Sequence, residues 1–144
     1  MTYTVKDVWQ HLLSQQEKQQ LLKKLFLDVL FHLTNLPEFM TDRDWSDLVQ
    51  EIKLDHSFHP ANRQYSVFLN VEEFAYKHWV PGSDNYFIIY DFLKNHLANV
   101  KLGPVNLFDS CIEQNMRLWF DFNLEAVYLC IAREMDSIFK NFEQ

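Results

Sequence analysis

The segment from Gln20 to Asn35 constrains the fold most strongly, because as a helix it would be apolar around most of its circumference. It reads QLLKKLFLDVLFHLTN, and its apolar residues recur at helical spacing. A helix of this kind has to pack against neighbours on several sides. We therefore expect it to be the central helix of a compact helical domain. The apolar positions are Leu21, Leu22, Leu25, Phe26, Leu27, Val29, Leu30, Phe31 and Leu33, and the remaining polar row is Gln20, Lys24, Asp28 and His32.

The scarcity of glycine points in the same direction. Only 2 Gly and 4 Pro occur among 144 residues, whereas the tight turns of β-hairpins require positive φ and so favour glycine. A chain of this length fits one domain of common size. We predict an all-α fold with a single domain over residues 1–144. The expected architecture is a compact bundle of six or seven helices, with room for one short strand or hairpin near 65–69.

Capping boxes mark the expected helix starts. In such a box a Ser, Thr or Asn is followed three residues later by an acidic residue or Gln. Pairs of this kind begin predicted helices at Thr4, Ser14, Thr41 and Asn70. The helix after Thr41 is predicted to run over roughly 42–53. Whether the first two helices are separate or merge near Ser14 stays open.

Proline and glycine indicate where helices stop. After the break at Pro81–Gly82, the apolar spacing predicts a mostly buried helix that ends near Asn99. A further helix is predicted from Asn106 to Trp119, and a last amphipathic helix begins at Asp121 or Asn123. The breaks are Pro37, Pro81–Gly82 and Gly103–Pro104.

The acidic balance of the chain limits its partners. The formal net charge is −7, which argues against direct contact with nucleic acid, because phosphate binding requires clustered Lys and Arg. It equally disfavours docking on anionic lipid. This charge is compatible with a basic protein partner. It is equally compatible with a surface that serves solubility alone.

The expected location is the cytoplasm. Cys111 and Cys130 fall on apolar stripes of predicted helices, so we expect two buried free thiols and no disulfide. The N-terminus, MTYTVKDVWQ, lacks the apolar core of a signal peptide. No apolar run approaches the roughly 20 residues of a membrane span.

No residue pattern supports catalysis or a cofactor. His56 and His59, with Asp55 beside them, resemble metal ligands, but their short spacing in a loop favours exposed histidines that hold no metal. Asp28 and His32 are one helical turn apart, and a carboxylate that orients an imidazole is part of a nucleophilic triad. No Gly-x-Ser-x-Gly elbow accompanies them, so we interpret the pair as a solvated helix edge and predict a non-enzyme.

The strongest functional candidate is an acidic surface. The segment 38–55 carries six acidic residues and two basic ones. Closely spaced carboxylates recognise Lys and Arg of a partner and raise the association rate, although an ordinary solvated helix face has the same pattern. Trp79, Tyr65 and Tyr3, if exposed, would supply aromatic anchors. The candidate partner-binding residues are Glu38, Asp42, Asp44, Asp47, Glu51 and Asp55.

These features favour a small acidic inhibitor that neutralises a basic protein, such as a toxin or nuclease effector, by covering its surface. In size, charge and lack of catalytic motifs the chain resembles the small acidic immunity proteins, antitoxins and phage anti-defence inhibitors of bacteria. The alternatives are a helical ligand-binding protein or enzyme with an aromatic-lined pocket, and a structural subunit of a larger assembly.

Overall fold

A computed structural model describes residues 4–33, 36–49, 52, 54, 60, 65–79 and 84–142, with side chains described up to residue 133. Across these residues the chain forms six α-helices and five strands, and the strands build two antiparallel sheets. The prediction of an all-α helical bundle is therefore wrong, and the fold is mixed α/β. The helices are α1 (Val5–Asp7), α2 (Gln15–Phe31), α3 (Asp42–Leu48), α4 (Val71–His78), α5 (Asn85–Asn95) and α6 (Leu124–Phe142), and the strands are β1 (Ser66–Asn70), β2 (Lys101–Leu102), β3 (Val105–Asn106), β4 (Phe108–Gln114) and β5 (Arg117–Phe122).

The N-terminal helices begin at the predicted capping boxes. At Thr4 and at Ser14 the side-chain oxygen accepts the N–H three residues later, and the acidic side chain at that position accepts the N–H of the cap residue. Helix α1 continues into a π-helical turn, Val8–Leu12. Leu13 then adopts an extended conformation, with φ −96° and ψ 133°. Helices α1 and α2 are therefore separate.

Helix α2 buries the face that its apolar spacing predicts. Leu22, Leu25, Phe26 and Leu30 are all buried. The ring of Phe26 lies 5.9 Å from that of Phe120 in β5, which joins the helix to the sheet. The central helix thus packs against the sheet.

Helix α3 is shorter than predicted. It ends at Leu48, because Val49 turns into extended backbone with φ −71° and ψ 108°. Val49, Ile52 and Leu54 are nevertheless buried. Their apolar character therefore reflects burial in the core, and the helix does not extend to residue 53.

The larger sheet has the order β1–β5–β4, with β5 in the centre. Both neighbours are antiparallel to β5, and the register pairs Val67 with Phe120 and Cys111 with Phe120. The strand expected near 65–69 is present as β1, but it belongs to this three-stranded sheet. Because β5 has a neighbour on each side, all but one of its residues are buried.

The predicted helix from Asn106 to Trp119 is wrong, because this region forms a β-hairpin. Strands β4 and β5 are joined by Asn115 and Met116, which have φ values of 53° and 63°. Positive φ at both central residues is the geometry of a type I′ turn. Since two non-glycine residues adopt it here, the scarcity of glycine did not exclude a hairpin.

A second, smaller hairpin lies at the predicted break Gly103–Pro104. It pairs β2 with β3, and Gly103 has φ 62°. The last helix then begins after Asn123, whose side-chain oxygen accepts the N–H of Glu125 at 3.0 Å. Of the two predicted starts, Asn123 is therefore correct, and Asp121 belongs to β5.

Candidate protein-interaction surfaces

Two carboxylates of the predicted acidic surface serve different purposes. The Oδ2 atom of Asp44 accepts the N–H of Thr41, and Thr41 Oγ1 accepts the N–H of Asp44, each at 3.1 Å. The Oδ1 atom of Asp44 lies 4.0 Å from Nδ1 of His78 in α4. Asp44 therefore stabilises the start of α3 and faces α4, whereas Asp42 at the same helix start is exposed.

Glu38, Asp42 and Asp47 have exposed carboxylates. Arg43 lies one helical turn before Asp47 on the same side of α3, so it offsets part of the negative charge there. Glu51 and Asp55 lie outside the described residues. The structure thus leaves three exposed carboxylates for contact with a partner on this surface.

Aromatic side chains lie close in the fold to the start of α3. Phe39 follows Glu38 and is 37% exposed. Its ring makes an edge contact with Trp79 at 5.7 Å, and Trp79 contacts Phe74 at 5.3 Å. The imidazole of His78 stacks on Phe74 at 4.1 Å. We name this region, which comprises Glu38, Phe39, Asp42, Asp47 and Trp79, the acidic–aromatic surface.

A second proposed aromatic anchor, Tyr65, packs away from this surface. Tyr65 is half-buried, and its ring makes an edge contact with Trp9 at 5.4 Å. Tyr3 lies outside the described residues. Of the two proposed anchors that the structure describes, Trp79 is the one that contacts Phe39, the residue after Glu38.

A second surface, which the sequence pattern did not predict, lies across α4 and α5. Tyr76 is 70% exposed and Phe87 is 59% exposed. Tyr86 contacts Phe87, with ring centroids 5.1 Å apart. Glu72 and Asp91 each lie one helical turn from one of these exposed rings. We name this surface, which comprises Glu72, Tyr76, Tyr86, Phe87 and Asp91, the α4–α5 aromatic face.

A signal for this face was present in the sequence. Phe87 falls between Asp84 and Asp91, which are three and four residues away on the same side of α5. This row of charged and apolar residues marks an outward-facing strip. The dense aromatic run from Tyr86 to Phe92 concealed it, because the whole run reads as a buried helix.

The candidate catalytic and metal-binding residues do not form a site in the described residues. His56 and His59, together with Asp55, lie outside them. His32 caps α2, and its Nδ1 atom lies 2.6 Å from the main-chain oxygen of Asp28. The imidazole therefore contacts the backbone of its own helix. Within the described residues, no group of three or more His, Cys, Asp and Glu side chains could hold a metal ion.

The sheet contains a buried polar row. Asp121 of β5 pairs with Ser66 on one side and Ser110 on the other. Ser110 Oγ donates a hydrogen bond to Asp121 Oδ2 at 2.5 Å. Beside this row, burial and then the Asp121 carboxylate raise the pKa of the Cys111 thiol to about 11. Cys111 is thus protonated at neutral pH, and this state is unsuited to nucleophilic attack.

Polar side chains also connect α5 with β4. Lys94 Nζ lies 2.8 Å from Glu113 Oε2 and 5.8 Å from the ring centroid of Tyr90. Burial, and next the Glu113 carboxylate, raises the pKa of Tyr90. The bond with Lys94 lowers the pKa of Glu113. Tyr90 is therefore held neutral and Glu113 is held ionised, which suits a structural link between the two elements.

Comparison of the chain with protein-family models, with curated proteins and with solved structures gave no match. The structure also shows no membrane-spanning helix in its described part, where each helix is too short or too polar to cross a bilayer. The functional argument therefore depends on the two surfaces themselves.

Proposed function

We propose that this protein is a small acidic inhibitor that binds a basic protein and covers its functional surface. The acidic–aromatic surface is the proposed contact. Nuclease toxins and other nucleic-acid-binding effectors are the class of partner that fits, because they carry clustered Lys and Arg for phosphate.

The observation that carries this proposal is the close association of charge and apolar area around Phe39. The partially exposed ring of Phe39 contacts Trp79, and Phe39 directly follows the exposed Glu38 in the chain. Aromatic side chains supply much of the energy at protein interfaces, while surrounding carboxylates select a basic partner and increase the association rate. The net charge of −7 extends this attraction beyond the contact itself.

The proposal is tested by charge reversal at two exposed positions. The immobilised full chain is used to capture a partner from cell extract, and the captured protein is purified and identified. We expect a basic protein. We further expect D42K/D47K to reduce its association rate at least about tenfold at low salt, because complementary charge acts mainly on association. Surface plasmon resonance measures this rate.

A second double variant with the same change in net charge provides the control. D28K/D109K reverses two exposed carboxylates outside α3, and we expect a much smaller change in the association rate. An equal loss in both variants would mean that binding depends on net charge alone. An unchanged rate in D42K/D47K would exclude the acidic–aromatic surface as the contact.

A further inference from the structure

The α4–α5 aromatic face exposes an unusual amount of apolar surface. Tyr76 and Phe87 are the two most exposed large apolar side chains in the described part of the chain, and Ile88 beside them is 46% exposed. Isolated exposed apolar residues are common on protein surfaces, whereas clustered ones mark interaction sites. These three belong to two helices that pack against each other.

The aromatic side chains of this face lie on two helices that pack against each other. Tyr86 makes an edge contact with Phe87, at an interplanar angle of 77°. Burial raises the pKa of Tyr86, and the Glu72 carboxylate and Tyr76 raise it further. Because α4 packs against α5, Tyr76 on one helix and the Tyr86–Phe87 pair on the other belong to neighbouring elements.

The charges around this group are negative. The two lysines of α4 and α5 are engaged elsewhere: Lys77 pairs with Glu73 at 3.0 Å, and Lys94 pairs with Glu113 at 2.8 Å. No Lys or Arg of the described residues forms an ion pair with Glu72 or with Asp91. Within the described part of the chain, Glu72 and Asp91 therefore lie beside the aromatic rings without an ion-pair partner at short range, although Lys94 lies near enough to Asp91 to interact with its charge.

We propose that the α4–α5 aromatic face binds arginine side chains presented by a protein partner. A guanidinium group stacks on aromatic rings and at the same time donates paired hydrogen bonds to a carboxylate. The ammonium of lysine is more strongly hydrated and lacks this planar geometry. Recognition by this face therefore distinguishes arginine from lysine, which attraction to net charge alone does not.

This inference does not depend on the acidic–aromatic surface. That surface uses α3 and the end of α4, whereas the α4–α5 aromatic face uses Glu72 and Tyr76 on the exposed side of α4. The two are tested with separate variants and separate readouts. If D42K/D47K does not change partner association, the proposal that the α4–α5 aromatic face prefers arginine still stands.

The experiment compares two fluorescent helical peptides that differ only in carrying three arginines or three lysines on one face. Fluorescence anisotropy at about 0.15 M salt measures the dissociation constant of each with the full chain. We expect the arginine peptide to bind about three- to tenfold more tightly. In Y76A/F87A the ratio of the two dissociation constants should fall to about one. Equal affinity of the wild-type protein for the two peptides would overturn the proposal.

A matched control replaces two exposed apolar side chains elsewhere. L12A/L129A removes Leu12 and Leu129, which are 50% and 43% exposed, and should retain the preference for arginine. Loss of the preference in this variant would overturn the assignment to α4 and α5. Sedimentation equilibrium tests whether a second copy of the chain covers this face instead. Self-association that Y76A/F87A abolishes would assign the face to a dimer and contradict the proposal.

Discussion

Backbone conformation at single residues determines the hairpin between β4 and β5. Asn115 and Met116 both have positive φ, and this conformation is unfavourable for most residues with a Cβ atom. Asparagine tolerates it better than others. Met116 packs partly against the core, so the contacts of its side chain offset the backbone cost.

Substitution at Asn115 tests the turn, because its side chain is exposed. We expect N115V to lower the free energy of unfolding by about 1–2 kcal/mol, since a β-branched residue disfavours the left-handed conformation. N115G should be at least as stable as the wild-type protein, because glycine adopts positive φ readily. Urea denaturation followed by circular dichroism measures both. Equal stability of N115V and N115G would contradict the type I′ turn.

Single residues also account for the helix starts. At Thr4, Ser14 and Thr41 the side chain and the acidic residue three positions later exchange hydrogen bonds at 3.1 Å. Each bond joins groups that are neighbours in the chain, so its formation requires no tertiary contact. This explains why the sequence predicted these starts correctly.

At the scale of elements, the ion pair between Lys94 and Glu113 connects α5 to β4. The hydrogen bond with Lys94, followed by Tyr90, lowers the pKa of Glu113 below 4.5. Because the pKa of Glu113 is lower in the folded state, this link contributes its full stabilisation of the fold above about pH 4.5. Its contribution is lost as the pH falls through the folded pKa.

Removal of the lysine should therefore raise the pKa of Glu113. In K94Q we expect the carboxyl of Glu113 to titrate closer to 4.5 than in the wild-type protein, although Tyr90 still lowers it. Carbon-13 NMR titration of the side-chain carboxyl measures this change. K77Q removes the partner of Glu73 instead and should leave Glu113 unaffected. An unchanged titration in K94Q would show that the ion pair does not form in solution.

At the scale of the whole molecule, one aromatic cluster joins the central helix to the central strand. Phe120 is fully buried, and its ring lies 5.9 Å from Phe26 and 5.1 Å from Phe108. The same strand has β1 on one side and β4 on the other. The packing of α2 and the order of the sheet therefore depend on the same residue.

Truncation of Phe120 tests this dependence. We expect F120A to lower the free energy of unfolding by about 3–5 kcal/mol, through lost apolar burial and the cavity left behind. The matched variant F87A removes the same side chain from an exposed position and should change stability by less than about 0.5 kcal/mol. Thermal and urea denaturation measure both. A small effect of F120A would contradict the role of Phe120 in joining α2 to the sheet.

The functional surfaces were only partly predictable. Exposed carboxylates at Glu38, Asp42 and Asp47 follow from charge patterning. The role of Asp44 in capping also follows from its place in the box at Thr41, but its approach to His78 does not. The exposure of Phe87 was concealed by the dense aromatic run from Tyr86 to Phe92, which predicts a buried helix, although Asp84 and Asp91 flank Phe87 on the same side of α5.

Local interactions were thus readable from the chain: the start of each capped helix, the buried stripe of α2 and the break at Gly103–Pro104. Each depends on residues within a few positions of one another, so the nearby sequence contains the energetic terms that decide it. The tertiary structure decided the rest. Leu107, Phe108 and Cys111 have helical spacing, yet Phe108 and Cys111 lie in β4, because β5 supplies the hydrogen-bond partners of that strand. The other edge of β5 pairs with β1, which comes from a distant part of the chain.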